Sequence, residues 1–285
     1  MSYPTYCPDC ERGLADLHIH TNASDGSYSP QEIIEMALQQ GLRCIAITDH
    51  DTVAGVEKIE FNKIPPGLTV LPGIEISTEY QGKELHILGY ALDIYNPGLR
   101  QTLQVLSEAR RQRIGRMVQR LEEAGLRITL REVQEFARDA ASLGRPHIAL
   151  ALIQNGYAAD IKEAFHKYLL KGRPGFVPRY RLATEEAIAL IVQAGGIPVL
   201  AHPGNDLHPA ALPHLLKAGL GGMEVFYPEH DEETRRYYYH LALQNKLLIT
   251  GGSDFHGQEE EDFLNFGKLP VPAGTIEILK EALKS

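Results

Sequence analysis

Short apolar runs recur along this chain, and nearly every one ends in a histidine or a carboxylate. The runs are LADLHIH, LRCIAITDHD, LTVLPGIEIS, KELHILGYAL, GGIPVLAHP, GGMEVFYPEH and KLLITGGSDFH. Helix-like patterns fall between several of them, and strands alternating with helices specify βα units. That implies an α/β fold with a mainly parallel sheet or barrel. In a parallel barrel the C-terminal strand ends converge on one face, which holds the active site. Polar residues far apart in this sequence would then meet in one pocket.

The first run shows the pattern most plainly. In ADLHIHTNASDG, from Ala15 to Gly26, an extended chain points His18 and His20 to one face and Leu17 and Ile19 to the other. One side suits a core, and the other suits something that wants nitrogen donors. In the next segment, SPQEIIEMALQQG, Ser29 is an N-cap, Pro30 fits the first helical position and Glu32 completes a capping box. Gly41 stops that helix. Later, ATEEAIALIVQAGG reads as another capped helix ending in glycine.

The middle third differs. From about Pro97 to about Tyr180 the pattern is helical, with a Thr129/Glu132 capping box and the basic, turn-rich stretches GRPHIA and KGRPGFVPRYR. The expected organisation is an N-terminal extension over 1–13, an α/β domain over 14–96 and 181–285, and a helical insertion over 97–180. Arg110, Arg113, Arg116 and Arg120 recur at helical spacing inside the insertion. A basic stripe of this kind could track a nucleic-acid backbone, but the favoured reading is the wet side of an amphipathic helix.

Composition narrows the class. The chain is 44% hydrophobic and 23% charged, ordinary for a globular protein, and no run approaches the roughly 18 apolar residues of a membrane helix. The start, MSYPTYCPDCERG, lacks a basic-then-apolar leader pattern, so a cytoplasmic location with no membrane association is expected. Cys44 sits inside an apolar run and reads as a small buried hydrophobe. Cys7 and Cys10 form a lone CxxC without the second pair that a structural zinc site needs. The net charge of −9 argues against a broad nucleic-acid-coating face. Several of those carboxylates could be metal ligands, however, and three divalent cations would offset most of the charge, so an anionic substrate remains compatible.

The polar residues at the strand ends are His18, His20, Asp25, Asp49, His50, Glu75, His86, His202, His230, Asp254 and His256. Taken singly, each has an ordinary explanation as a turn residue or a hydrogen-bonded histidine. Together they form a His/Asp/Glu donor set that suits zinc, manganese or iron, with too many candidates for one tetrahedral ion. Two cations bridged by a carboxylate, with Glu75 as the natural bridge, is the economical arrangement. Such a pair stabilises a phosphoryl displacement and supplies hydroxide at neutral pH. No GxGxxG follows a strand, and neither a GxxxxGK[ST] loop nor a GxSxG elbow occurs, so other chemistries do poorly.

The motifs DLHIHTNASDG, AITDHD, LPGIEIS, ELHILGY, LAHP and GGSDFHG, in this order, resemble the PHP (polymerase and histidinol phosphatase) family of metal-dependent phosphoesterases. The resemblance implies a distorted (β/α)7 barrel holding up to three divalent ions, Mn2+ first with Zn2+ or Fe2+ as alternatives. It assigns His18, His20, Glu75 and Asp254 to one ion, and Glu75, His86 and His202 to a second. Asp25, His50 and His256 go to a third, although some relatives carry histidine where this chain has Asp25. Glu75 and Asp254 would serve catalysis by holding the ions, and a metal-bridged hydroxide would attack phosphorus.

GRPHIA and YPEHDEE resemble the branch of nucleoside 3′,5′-bisphosphate phosphatases that also act as 5′-to-3′ exoribonucleases. The implied substrate is a small nucleotide or short RNA, and no obligate protein partner is implied. Arg145 would pair with phosphate, His147 and Lys171 would add donors, and Arg173 and Arg179 further charge. His230 would contact phosphate or protonate the leaving oxygen. The alternatives are a small-metabolite phosphatase, such as one acting on histidinol phosphate, and a non-catalytic nucleotide-binding module.

Overall fold

The computed structural model describes residues 12–137, 143–204, 207 and 210–284. The CxxC at Cys7 and Cys10 lies outside them. The chain divides into two compact units, Met1–Gln101 with Leu182–Ser285, and Thr102–Arg181.

In the first unit the strands are β1 (Arg12–Gly13), β2 (Ala15–Ile19), β3 (Cys44–Ile47), β4 (Thr69–Tyr80), β5 (Lys83–Tyr90), β6 (Leu182–Ala183), β7 (Ile197–Leu200), β8 (Gly222–Phe226), β9 (Leu248–Gly251) and β10 (Val271–Pro272). The main sheet runs β2-β3-β4-β5-β7-β8-β9, with β6 paired to β4, and β1 pairs β10 separately. The two ends of this path approach each other. His20 N–H donates to Phe255 C=O at 2.9 Å, and Phe255 N–H donates to His18 C=O at 3.3 Å. The sheet is a nearly closed, mixed barrel with helices, an α/β barrel of the kind the motifs imply.

One strand departs from the mainly parallel expectation. β5 is antiparallel to both β4 and β7. The reason is the two-residue turn Gln81-Gly82, with φ of 50° and 82°. Consecutive left-handed residues are what a tight hairpin of right-twisted strands requires, and glycine supplies the second without steric cost. His86 therefore sits within an antiparallel strand, opposite Ser77 and diagonal to Glu75.

Local signals act as their chemistry dictates. Ser29 Oγ accepts from Glu32 N–H while a Glu32 carboxylate oxygen accepts from Ser29 N–H, and the helix Pro30–Gln39 buries Ile33, Ile34 and Ala37. The barrel core is built from Ala15, Leu17, Cys44, Ala46, Leu71, Leu88 and Tyr90 among others. Cys44 belongs to it, and burial pushes its thiol up to about 12.

The second unit is helical, with helices Pro97–Glu123 (whose first turns belong to the first unit), Leu130–Glu135, Arg145–Gln154 and Ile161–Ala164. Ile114, Met117, Leu121, Val133, Ile148 and Leu152 make its own core. The arginine stripe is not a uniformly wet face. Arg113 is buried and donates from Nε to Val177 C=O at 2.8 Å, and Arg120 donates from Nε to Pro174 C=O at 3.0 Å.

Candidate metal centre

A β-strand puts alternate residues on one face, but β2 slips register against β3 between Asp16 and Ile19. His18 and His20 still converge, with ring centroids 5.1 Å apart. His18 Nε2 lies 3.5 Å from Glu75 Oε2 and 3.3 Å from Asp254 Oδ1. His20 Nε2 lies 3.3 and 3.0 Å from the same two oxygens. Glu75, on β4, is wholly enclosed. Its other oxygen, Oε1, meets His86 Nδ1 at 2.9 Å and His202 Nε2 at 3.0 Å. Around Asp25, the Nε2 atoms of His50 and His256 stand at 3.8 and 3.4 Å, and His20 Nδ1 at 3.8 Å.

Among the described residues, three groups of donor atoms could hold an ion: His18, His20, Glu75 and Asp254; His20, Asp25, His50 and His256; and His50, Glu75 and His86. Eight of the nine residues proposed as ligands fall in these groups, and Glu75 is shared between two of them. His202 is in none, His50 taking its place beside Glu75 and His86, although its Nε2 lies 3.0 Å from Glu75 Oε1. The grouping differs in detail from the expectation. His20 also faces Asp25, and His50 turns Nδ1 to Glu75 at 2.8 Å while its Nε2 faces Asp25. Two of the proposed ligands, His202 and Asp254, have φ of 21° and 55°. Non-glycine residues held there cost about 1–3 kcal/mol each and persist where the surroundings over-determine them.

The atoms' hydrogen bonding is the informative part. His18 Nε2, both His20 ring nitrogens, Asp25 Oδ1, His50 Nδ1 and Glu75 Oε2 are buried with no hydrogen-bond partner among the described residues. Buried polar atoms are nearly always satisfied, so a convergent set of orphans is what residues that hold a cation would show. The donors are imidazole nitrogen and carboxylate oxygen only, which suits zinc, manganese or iron.

Electrostatics agree. Burial opposes charge on Glu75, but His50, His86 and His18 outweigh it and hold the carboxyl well below its usual range. Burial opposes charge on Asp254 too, and His18 with His20 overcomes it. Burial disfavours protonated His20 and His86, yet their carboxylate neighbours raise them to about 10 and about 9. His50 goes the other way, its pKa lowered chiefly by burial.

Two residues that the sequence groups with the site play other parts. Asp49 accepts from Thr21 N–H (2.8 Å), Thr21 Oγ1 (2.8 Å) and Ser24 Oγ (2.6 Å), so it shapes the loop that carries Asp25. His230 is buried, with Nδ1 donating to Val225 C=O at 2.9 Å and Nε2 accepting from Gly204 N–H at 3.1 Å. Burial lowers its pKa, and neither nitrogen is left for a leaving oxygen or a phosphate in this geometry. In this geometry His230 straps the segment after His202 to β8.

Two further residues escaped the sequence reading. Tyr227 donates its hydroxyl to Asp254 Oδ2 at 3.2 Å, leaving Oδ1 for the histidines. Glu224 is a fully buried carboxylate against His18, and its signal was a lone acid inside the apolar run GGMEVF.

In the second unit, Arg145 opens the helix Arg145–Gln154, with its guanidinium 5.4 Å from the Phe165 ring centroid. His147 Nδ1 accepts from Gly144 N–H at 3.0 Å, so one ring nitrogen serves the helix start. Lys171 is exposed. Arg113 is lowered to about 10, by burial first and then by Arg145, Arg179, Arg110 and Arg181. Five arginines thus share one neighbourhood.

Comparison with known proteins agrees with this geometry. The PHP domain matches residues 16–176. The chain belongs to the PHP family. It is 35% identical over 269 residues to the 5′-3′ exoribonuclease Rnm of Escherichia coli, covering 92% of this chain and 91% of that one. It is 32% identical over 250 residues to the 3′,5′-nucleoside bisphosphate phosphatase of Chromobacterium violaceum, covering 86% and 88%. A solved structure from Bifidobacterium adolescentis, described as a candidate metal-dependent phosphoesterase, superposes with a TM-score of 0.84 at 31% identity, covering 96% and 97%. This PHP protein is a metal-dependent phosphoesterase, and its fold is the PHP barrel. Among the described residues, no helix is long and apolar enough to cross a membrane.

Proposed function

We propose that this PHP protein removes the 3′-phosphate of nucleoside 3′,5′-bisphosphates and shortens 5′-phosphorylated oligoribonucleotides from the 5′ end. The observation that carries the hydrolytic part is the set of buried, unpartnered donor atoms around Glu75. The substrate class is supported by the two curated relatives and by the arginine neighbourhood of Arg113 and Arg145.

His18, His20, Glu75 and Asp254 would hold one cation, Glu75, His86 and His202 a second, and Asp25, His50 and His256 a third. Bound divalent ions would lower the pKa of water and neutralise phosphate oxygens. The chain's own residues do the rest. Glu75 holds the two histidine sets on opposite oxygens, and Tyr227 fixes the rotamer of Asp254 by donating to Oδ2. Arg145 would hold the terminal 5′-phosphate through its planar guanidinium, with His147 and Lys171 adding donors. Mn2+ is the proposed ion, and the proposed setting is cytoplasmic.

The test is an Mn2+-supplemented assay with adenosine 3′,5′-bisphosphate, a short 5′-phosphorylated RNA and histidinol phosphate, with Arg145→Ala in parallel. AMP from the first, mononucleotides from the second and a sharp loss in the variant support the reading. Turnover of histidinol phosphate alone overturns the substrate assignment and leaves the phosphoesterase standing.

A further inference from the structure

Glu224 lies on β8 where that strand's register with β9 slips, between Glu224 and Phe226. It is completely buried, and a buried carboxylate needs donors aimed at it. Among the described residues it has two, from distant parts of the chain. His18 Nδ1 stands 3.1 Å from Oε1 and 3.3 Å from Oε2, and the backbone N–H of His202 donates to Oε2 at 2.8 Å. His18 comes from β2, and His202 follows β7.

We infer that Glu224 is a positioning residue that orients two metal-binding histidines at once, one for each of the ions that share Glu75. The inference rests on the proposed assignment of the cluster to divalent cations.

An ionised carboxylate can only accept, so His18 must present Nδ1–H to it. That leaves the lone pair on Nε2, the nitrogen that faces Glu75 Oε2 and Asp254 Oδ1. The carboxylate thereby selects the tautomer, fixes the ring plane and raises the basicity of the ligating nitrogen. For His202 the hold is on the backbone. Its φ of 21° lies at the edge of the left-handed region, and the N–H bond to Glu224 helps keep it there. Its Nε2 then sits 3.0 Å from Glu75 Oε1.

The neighbouring residue reinforces the same loop. Val225 C=O accepts from His230, whose Nε2 accepts from Gly204 N–H. Glutamine cannot replace Glu224 without conflict: its oxygen can serve one donor, but its NH2 would confront the other.

The experiment uses the full chain, chelated and then reloaded, with Mn2+ and Zn2+ stoichiometry and affinity measured by competition with a fluorescent chelator. Wild type, Glu224→Gln and Glu224→Asp are compared, together with melts of the chelated proteins. Glu224→Gln is expected to weaken two of the bound equivalents by about 10–100-fold, the usual effect of removing such a partner. The equivalent held by Asp25, His50 and His256 should remain, Asp should restore part of the loss, and the chelated melts should stay close to wild type.

Unchanged affinity in Glu224→Gln overturns the inference. So does a uniform loss at every site that follows a lowered chelated melt, because that is a structural effect. If Glu224→Gln does not fold, nitrogen NMR of histidine-labelled, Zn2+-loaded wild type decides. His18 ligating through Nε2 with Nδ1 protonated supports the role, and Nδ1 ligation overturns it. Wild type that takes up no metal overturns the cation assignment itself, a separate and recognisable result.

Discussion

His50 Nδ1 and Glu75 Oε2 approach to 2.8 Å, yet neither atom has a hydrogen bond among the described residues. An unsatisfied buried polar atom costs about 1–3 kcal/mol, and several such atoms share this pocket. A cation that accepts all their lone pairs offsets that cost, which couples metal uptake to folding stability.

The pH dependence of the chelated protein follows from His20, His86 and the carboxylates. His20 and His86 are raised to about 10 and about 9, so their stabilising contribution is full below the unfolded value of about 6.5. It is lost as pH climbs through 9 to 10. Glu75 and Asp254 are lowered, so theirs is present above about 4.5 and lost on acidification. This cluster should favour folding most between roughly pH 4.5 and 6.5 in the presence of chelator. Metal competes with protons for the same nitrogens, so the Tm gained on adding Mn2+ should widen from pH 6 to pH 9. A gain that shrinks over that range contradicts the assignment.

Glu75→Gln removes the charge that both histidine sets face. Metal content after dialysis should fall, and kcat/KM should drop by more than the roughly 100-fold seen for losing an outer partner. Elemental analysis with steady-state kinetics checks this. A variant retaining full metal content and activity would show that the bridge lies elsewhere.

Gly252 sits against β2. A Cβ there would lie 2.4 Å from both the backbone nitrogen and the Cβ of His18. Gly252→Ala must displace the strand, with an expected cost of about 1–3 kcal/mol for overpacking. Metal affinity should fall with stability, because the displaced residue is itself a proposed ligand. Melts with and without Mn2+ test it.

His230→Ala leaves Gly204 N–H and Val225 C=O without their partner, a loss of about 1–3 kcal/mol. Activity should fall through the loosened loop while the pH–rate profile keeps its shape. Disappearance of the basic limb of that profile would return His230 to the role of proton donor.

The arginines around Arg113 repel one another, so an anion bound among them should stabilise the fold. Inorganic phosphate is expected to raise Tm, by about 2.7 kcal/mol of binding linkage at a hundredfold excess over Kd. Arg145→Ala should lose at least half of the effect. Equal gains in both proteins would place phosphate elsewhere.

The donor residues that converge around Glu75 are legible in the sequence because they are written at strand ends, as in DLHIH and GGSDFH. The supporting residues are poorly legible. Glu224 stands alone in an apolar run, and nothing local reveals that its donors are His18 and His202. His230 carries the same ring as the ligands, and only the positions of Val225 and Gly204 show that both nitrogens are taken. The antiparallel turn of β5 has a local signal in Gln81-Gly82, but a short apolar run like KELHILGY carries no mark of strand direction. Arg113 shares helical spacing with exposed arginines, and its burial depends on Val177, far along the chain.

The pocket draws His18 and His20 from near the start of the chain and Asp254 and His256 from near its end, at the seam where Phe255 meets β2. Contacts so distant in sequence form late, since the long intervening loop must first be closed. A chain still emerging from the ribosome carries most of its histidines but not the last carboxylate, and so has no complete pocket. If these residues hold the ions as proposed, hydrolysis would wait until the segment through His256 has left the ribosome, and fragments ending before that point would be inert. Two separately expressed pieces, cut between β8 and β9, would recover activity only by reassembling the seam.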